Sequence, residues 1–456
     1  MKTTNFSSLN LSPDMLKNLD NIGYEHMTPI QAEALPFILE NKDLIAQAKT
    51  GSGKTAAFGI GLLSKLDVKK FRVQSLVLCP TRELADQVAK ELRMIAKFTH
   101  NVKVLTLCGG VAFGPQLGSL KHGAHIIVGT PGRVLKHLKK EILNLENLET
   151  LVLDEADRML DMGFIEEIQE VLSFAPKTRQ TLLFSATYPD EIMKLSVSIQ
   201  RDAVSVKTKS IEVVNKITER FYEVEDSSKV QALVNVLSNF KPKNVIVFCN
   251  TKLECDELSK KLQDKKIDAL AIHGDMEQYD RNDVLVQFSN NSCSVLVATD
   301  VAARGLDIKD LSMVVNYDIP HSQETYTHRI GRTGRAGAEG LAFTFYSEYR
   351  ADLANDYKND TRIFEDISSL KTIEGFKMIP EFLTLVIEGG KKDKLRAGDI
   401  LGALTGDAGL KGTSIGKIDI YDRQSYVAIS NKDIDAAEKQ LKNGKIKGKK
   451  FSIWVL

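Results

Sequence analysis

Short apolar runs alternate, over the first two hundred residues, with stretches whose apolar side chains recur every three or four positions. The runs at 43–48, 75–79, 125–128, 151–153 and 181–184 read as buried strands. Between them, Phe58, Leu62 and Leu66, and then Leu84, Val88, Leu92 and Ile95, fall on single helical faces. This alternation predicts a parallel α/β sheet. A polar, weakly periodic stretch from about 201 to 216 interrupts the rhythm, which resumes with runs at 244–248, 294–298, 313–317 and 341–346, a second α/β lobe. A polar, helix-like region follows Tyr349, and a smaller unit starts near Phe376. In it the pattern predicts a strand at 382–387, a helix at 398–404 stopped by Gly406, strands at 414–421 and 425–430, a helix at 434–441 ending at Asn443-Gly444, and a strand at 450–455. The order βαββαβ is ferredoxin-like. The expected division is therefore 1–207, 216–365 and 377–456, consistent with about 150 residues per domain.

Composition narrows the classes. A hydrophobic share of 43% suits packed cores and excludes wholesale disorder. With 61 Lys plus Arg against 60 Asp plus Glu, the chain is no polycation that coats nucleic acid by bulk charge. The balance is uneven, however: residues 380–456 carry +4 and residues 1–379 carry −3, so the basic excess sits in the last unit. Five cysteines without a Cys-x-x-Cys pair argue against a disulfide framework or structural zinc, and a reducing compartment, the cytoplasm, is expected. No apolar run of eighteen residues and no apolar leader occur, so no membrane association is expected.

The chemistry begins at 48–55, which read AKTGSGKT after an apolar strand and before an amphipathic helix. In that context Gly51 and Gly53 let amide N–H groups converge on phosphates, Lys54 neutralises the β- and γ-phosphates, and Thr55 offers a hydroxyl to Mg²⁺. Ala48 replaces the usual first glycine, and Lys49, Thr50 and Ser52 complete the loop. A hundred residues on, the apolar run at 151–153 enters Asp154-Glu155-Ala156-Asp157, placing carboxylates at the ligand-binding edge of an open sheet. Asp154 is the second candidate Mg²⁺ ligand, and Glu155 the group to orient or deprotonate an attacking water.

DEAD at 154–157 together with AKTGSGKT resembles the DEAD-box ATP-dependent RNA helicases. The resemblance extends through Gly23-Tyr24, Thr28-Pro29-Ile30-Gln31 with Phe6 upstream, PTRELA at 80–85, Gly109-Gly110, TPGR at 130–133 and Ser185-Ala186-Thr187. Gln278 and Arg281, TDVAARGLD at 299–307 and HRIGRTGR at 328–335 continue it, so that it covers about residues 1–365. It implies two RecA-like lobes that close on ATP and single-stranded RNA. Gln31 and Phe6 would recognise adenine, an amide edge and a ring suiting that base. Asp307 would meet the ribose, and Arg332 and Arg335 would act as arginine fingers. Asp157, Ser185, Thr187 and His328 would couple hydrolysis to closure. RNA contacts are implied for Arg82, Gly109, Gly110, Thr130, Arg133, Arg281 and Thr299, groups that grip phosphates without reading bases.

Residues 389–410 (GGKKDKLRAGDILGALTGDAGL) and 416–429 (GKIDIYDRQSYVAI) resemble the RNA-binding domain of the bacterial DbpA subfamily, an RNA-recognition-motif (RRM) fold. That implies 23S ribosomal RNA as partner, at a hairpin near the peptidyl transferase centre, and large ribosomal subunit assembly as process. The segment keeps Tyr426 and Val427 of the RRM pattern, yet Gln424 and Ile429 stand where aromatics are usual, and the first strand offers Thr384 and Leu385. Recognition is therefore expected to shift from the sheet face to Lys391, Lys392, Lys394 and Arg396, with Lys411, Lys417 and Tyr421. The six lysines between 439 and 450 read equally as a solvated face or an RNA-facing edge, and Trp454 as core. A monomeric ATP-driven RNA helicase is the leading reading; an RNA clamp with little unwinding is the alternative.

Overall fold

In the computed structural model, residues 5–48, 51–208, 217–303, 311–334, 339–359, 361–407 and 409–456 are described; the candidates Lys49, Thr50, Asp307 and Arg335 lie outside them. The chain divides into two compact units that part at residue 213.

The first unit is built on seven strands: β1 (Leu44–Gln47), β2 (Ser75–Leu78), β3 (Val104–Leu107), β4 (Ile126–Gly129), β5 (Thr150–Asp154), β6 (Gln180–Ser185) and β7 (Val204–Lys207). They pair in parallel in the order β3-β4-β2-β5-β6-β1-β7. The residues of β2, β4, β5 and β6 are all buried, because helices cover both sheet faces and leave no solvent side on which polar residues could alternate. Helices start where the sequence offers a cap: Thr81 Oγ1 accepts from the Leu84 amide and starts Arg82–Ile95, whose Leu84, Val88, Leu92 and Ile95 are buried. Val204–Lys207, inside the stretch read as an interruption, pairs as an edge strand on β1.

The second unit carries β8 (Ile217–Glu223), β9 (Val245–Cys249), β10 (Ala269–Ile272), β11 (Val295–Thr299), β12 (Met313–Asn316), β13 (Gly340–Tyr346) and β14 (Ile363–Asp366), parallel in the order β10-β11-β9-β12-β13-β8-β14. β14 corrects the helix-like reading of the region after Tyr349. The helix there is only Ala351–Asn355, and the strand is fixed to β8 by Phe364 stacking on Phe221 and by an Arg220–Glu365 ion pair at 2.6 Å.

A four-stranded antiparallel sheet closes the chain: β15 (Phe382–Ile387), β16 (Ile415–Ile420), β17 (Ser425–Ser430) and β18 (Ile453–Val455), in the order β16-β17-β15-β18. The period-two pattern sends Leu385, Ile387, Val427, Ile429 and Ile453 into its own core. The centre of the opposite face is also buried, with Lys417 on its β16 edge left exposed. It packs on the helix Gln278–Ser289 of the same unit, where Val286 meets Val386 and Tyr426 with Trp454 and Leu456 alongside. Tyr426 donates to Asp283 at 2.8 Å, and Asn290 bonds Thr384 at 2.9 Å, both buried. Trp454 thus packs in a junction between sheet and helix. The connecting segment is pinned too: Met378 bridges Ile267 and enters the core of the seven-stranded lobe.

Candidate functional site

Strand order divides the carboxyl-terminal edge of the first sheet into two stretches. β1, β6 and β5 are contiguous and lead into the phosphate loop, Ser185-Ala186-Thr187 and Asp154–Asp157; β2, β4 and β3 lead into Arg82, Thr130–Arg133 and Gly109-Gly110. Nucleotide candidates and RNA candidates therefore occupy neighbouring halves of one edge, meeting at β5 and β2.

In the nucleotide half, Gly53 takes φ +90°, a left-handed conformation that favours glycine, and a Cβ there would stand 2.5 Å from Gln31 Nε2 and displace that side chain. Gly51 is also left-handed, at φ +82°. Lys54 opens the helix Lys54–Lys65 and is buried, its Nζ donating to the Ala48 carbonyl at 2.9 Å. Ser52 Oγ is buried without a hydrogen-bond partner among the described residues. A loop with an orphaned hydroxyl, a helix N-terminus and a lysine turned onto its own backbone fits an anionic phosphate group. Gln31 lies beside it, accepting from the Thr28 amide at 2.8 Å and donating to the Gly53 carbonyl at 3.1 Å. Both ends of its amide are engaged by helix cap and loop, so contact with adenine would be made in exchange for these bonds. Phe6 sits in the core at 3% exposure, 6.5 Å from the Tyr24 ring, and presents little of its face.

Asp154 ends β5, and its buried carboxyl is pushed up to about 7 by desolvation, opposed by Lys54 and reinforced by Glu155. Asp154, a buried carboxylate beside Lys54, offers the kind of oxygen donor that a hard divalent cation takes, and the Thr55 hydroxyl follows Lys54 on the helix it opens. Glu155 adopts φ 54° and ψ 52°, a left-handed conformation costly for a side-chain-bearing residue and typical of functional turns. Its carboxylate accepts from Arg158 Nη1 at 2.7 Å, the two side chains only 7% and 3% exposed. Arg158 escaped the sequence reading although it lies three residues on, one helical turn away. Arg158→Met is expected to cost about 3–5 kcal/mol of stability by leaving Glu155 buried and unpaired, read from urea unfolding; an unchanged midpoint would contradict the pairing.

Asp157 is joined to Ser185-Ala186-Thr187. Its amide donates to Ser185 Oγ at 3.1 Å, and its Oδ2 accepts from the Ala186 amide at 3.0 Å, the Thr187 amide at 2.9 Å and Thr187 Oγ1 at 3.1 Å. Movement of β5's end is thereby tied to the end of β6. His328 belongs to the second unit, on the helix Gln323–Ile330.

In the RNA half, Arg133 is aimed by a residue the sequence reading missed. Gln116 Oε1 accepts from Arg133 Nη1 at 2.9 Å and from His137 Nε2 at 2.9 Å, while its Nε2 donates to the Cys108 carbonyl at 3.0 Å. Burial, then the nearby Arg133 and Lys136, push His137 down to about 4, so it stays neutral at pH 7 and adds no charge to the cluster. Arg82 lies 3.6 Å from Asp86, its Nη1 buried without a hydrogen-bond partner among the described residues. Gly109 has nothing within 4 Å of a built Cβ, and Gly110 takes φ +72°.

The second unit repeats the edge logic. Gln278 and Arg281 follow β10, and Thr299 ends β11. Within HRIGRTGR the first arginine is committed internally: Arg329 grips Asp300 through two bonds of 2.7 Å and also donates to Asn316, the Asp318 carbonyl and Asn250. Arg332 follows in a turn at 6% exposure.

In the final domain, Lys391 and Lys392 are exposed in the turn Lys391–Asp393, with Arg396 nearby, whereas Lys417 pairs with Asp419 at 2.8 Å and reaches Ser289 on the docked helix at 3.3 Å. Lys417 thus belongs partly to the junction. Lys394 is exposed at φ 61°, its carbonyl accepting from Lys447 Nζ at 2.9 Å, and Lys411 is exposed as well. The run 439–450 is partly neutralised within the domain, Lys442 by Glu438 and Lys447 by Asp399.

Comparison with known proteins agrees with this layout. Residues 28–195 match the DEAD/DEAH box helicase model, residues 228–337 the helicase conserved C-terminal domain, and residues 384–455 the DbpA RNA binding domain. The chain is 52% identical to the ATP-dependent RNA helicase DbpA of Escherichia coli, covering 99% of this chain and 100% of that protein, and 38% identical to DbpA of Bacillus subtilis, over 99% of each. Among solved structures, Saccharomyces cerevisiae Dbp5 bound to RNA and ADP BeF3 superposes with a TM-score of 0.72 at 31% identity, covering 80% of this chain and 96% of that one. A strand edge shared by a phosphate loop, buried carboxylates and arginines, carried by a sequence 52% identical over 99% of its length to a protein of that kind, places the chain in the DEAD-box ATP-dependent RNA helicases that bear a DbpA RNA-binding domain.

Proposed function

We propose that the chain spends ATP to open RNA duplexes next to a 23S ribosomal RNA hairpin held by its last eighty residues, during assembly of the large ribosomal subunit. The observation that carries the address is the covered sheet face. In an RRM that face stacks bases, but here the helix Gln278–Ser289 covers its centre, and the exposed Lys391, Lys392, Lys394, Arg396 and Lys411 offer a basic surface to RNA instead. The near-identity of length and domain order with DbpA proteins supports carrying a shared RNA target to this chain. The reading includes a cytoplasmic location and action as a monomer.

In the motor, Lys54 and the loop amides bind and orient the triphosphate, and Glu155 holds the attacking water and receives its proton. Arg332, with Arg335, opposes charge developing on the transferred phosphate. Thr55 and Asp154 would hold Mg²⁺, which supplies charge neutralisation on the phosphates. The Asp157 bonds to 185–187 pass any change at the nucleotide to the neighbouring strand end. Arg82, Gly109, Gly110, Thr130, Arg133, Arg281 and Thr299 grip one strand's backbone, so unwinding is local and indifferent to sequence there.

Reversing both charges, Lys391→Glu with Lys392→Glu, is expected to weaken binding of the full chain to a 23S rRNA hairpin fragment by at least about tenfold and to flatten its salt dependence by about two units of log–log slope. Unchanged affinity would overturn the placement.

A further inference from the structure

The junction between the RRM sheet and the second lobe carries more than packing. Two tyrosines, one from each partner, stand half-exposed at its rim: Tyr279 in the first turn of Gln278–Ser289, and Tyr421 in the turn between β16 and β17, each 49% exposed. They belong to one framework. The Tyr421 amide donates to the Gln424 carbonyl at 2.8 Å, closing the turn, and Gln424 Nε2 donates to the Tyr279 hydroxyl at 2.9 Å. Tyr421 also sets its ring edge-on to Tyr426 at 5.5 Å, and Tyr426 is anchored on Asp283. The basic turn is stitched to the same place: the Lys391 and Lys392 amides donate to the Tyr421 and Asp422 carbonyls at 2.8 and 2.9 Å. Arg281 lies two residues beyond Tyr279.

Basic turn, Tyr421, Gln424 and Tyr279 therefore form one connected series inside a single compact unit, running from the proposed hairpin grip to the helix that also carries Arg281, a proposed strand grip. The two tyrosines present ring faces to solvent, and such faces suit unpaired bases. Asp280 and Asp422 flank them and repel phosphates, which selects base faces over backbone. We propose that Tyr279 and Tyr421 form a stacking subsite for one or two unpaired nucleotides that connect the hairpin to the strand held by the motor, with Gln424 positioning Tyr279. The proposal rests on the hairpin reading given above.

The test measures affinity of the full chain for a large-subunit rRNA hairpin, bare or extended by a single-stranded flank of about six nucleotides. The flank is expected to tighten wild-type binding, and Tyr279→Ala to remove about 5- to 150-fold of that gain. Tyr279→Phe should retain most of the gain, an abasic flank should lose the same share of it as Tyr279→Ala does, and the loss in Tyr279→Ala should be the same at low and high salt. Affinity for the bare hairpin should be equal in all variants. Tight bare-hairpin binding with no gain from the flank, or a gain untouched by Tyr279→Ala, would overturn the subsite alone; absence of bare-hairpin binding by the wild type would overturn the functional reading and the subsite with it.

Discussion

Glu155→Gln is expected to lower RNA-stimulated ATP hydrolysis by about 10²- to 10⁴-fold, the range for removal of a positioned proton acceptor, while leaving ATP affinity within a few-fold. The side chain emerges from a left-handed residue immediately after the buried Asp154, and Arg158 fixes its carboxylate at 2.7 Å. Glutamine keeps the shape and can still accept from Arg158, but it cannot take a proton from water. The measurement is phosphate release at saturating ATP and RNA, with a urea midpoint to show that the fold survives. Turnover equal to wild type would remove Glu155 from the chemistry and revive the reading of the chain as an RNA clamp.

Arg332→Ala is expected to have a comparable or larger effect, about 10³- to 10⁵-fold in turnover, the range for arginine fingers in phosphate-loop enzymes. Arg332→Lys should recover little of it, because a single ammonium cannot reproduce the planar fork. The neighbouring arginine in the same motif provides the contrast. Arg329 spends its guanidinium on Asp300, Asn316, Asp318 and Asn250, joining the ends of β9, β11 and β12. Its replacement should therefore appear as lost stability of the second lobe, with turnover falling only as far as folded protein falls. Identical unfolding behaviour of the two alanine variants, with equal losses of turnover, would contradict this division of labour.

Much of the architecture was legible because buried parallel strands leave an unmistakable record. β2, β5, β6, β9 and β11 are apolar runs, and the structure places each within a residue or two of its expected bounds. Edge strands were harder. β7 and β14 have one neighbour each, so half their positions are polar, and Ile363 remains 36% exposed; such segments look like loop or helix surface until their partner is known. Motif residues were legible by type, but their supports were not. Gln116 aims Arg133 from seventeen residues away, and a lone glutamine carries no signal before the helices are in place. Arg158 could have been found, since a basic residue one turn beyond a buried acid is a recognisable pair. The covered RRM face was half legible. Missing aromatics at Gln424 and Ile429 argued against base stacking, whereas the identity of the cover was written in the stripe Tyr279, Asp283, Val286 and Asn290, which appears only once Gln278–Ser289 is known to be a helix with two buried sides.

The central claim is that ATP hydrolysis by this chain opens duplex RNA and that the basic turn of the last domain decides which RNA. Strand displacement tests both together: a short labelled strand is paired next to a 23S rRNA hairpin or to an unrelated hairpin, and its release is timed with ATP, without ATP, and with the Lys391→Glu, Lys392→Glu variant. The account predicts ATP-dependent release, at least about tenfold faster beside the ribosomal hairpin, with that preference lost in the variant while slow generic release persists. Release that ignores ATP, or a wild-type rate that is the same beside either hairpin, would contradict it.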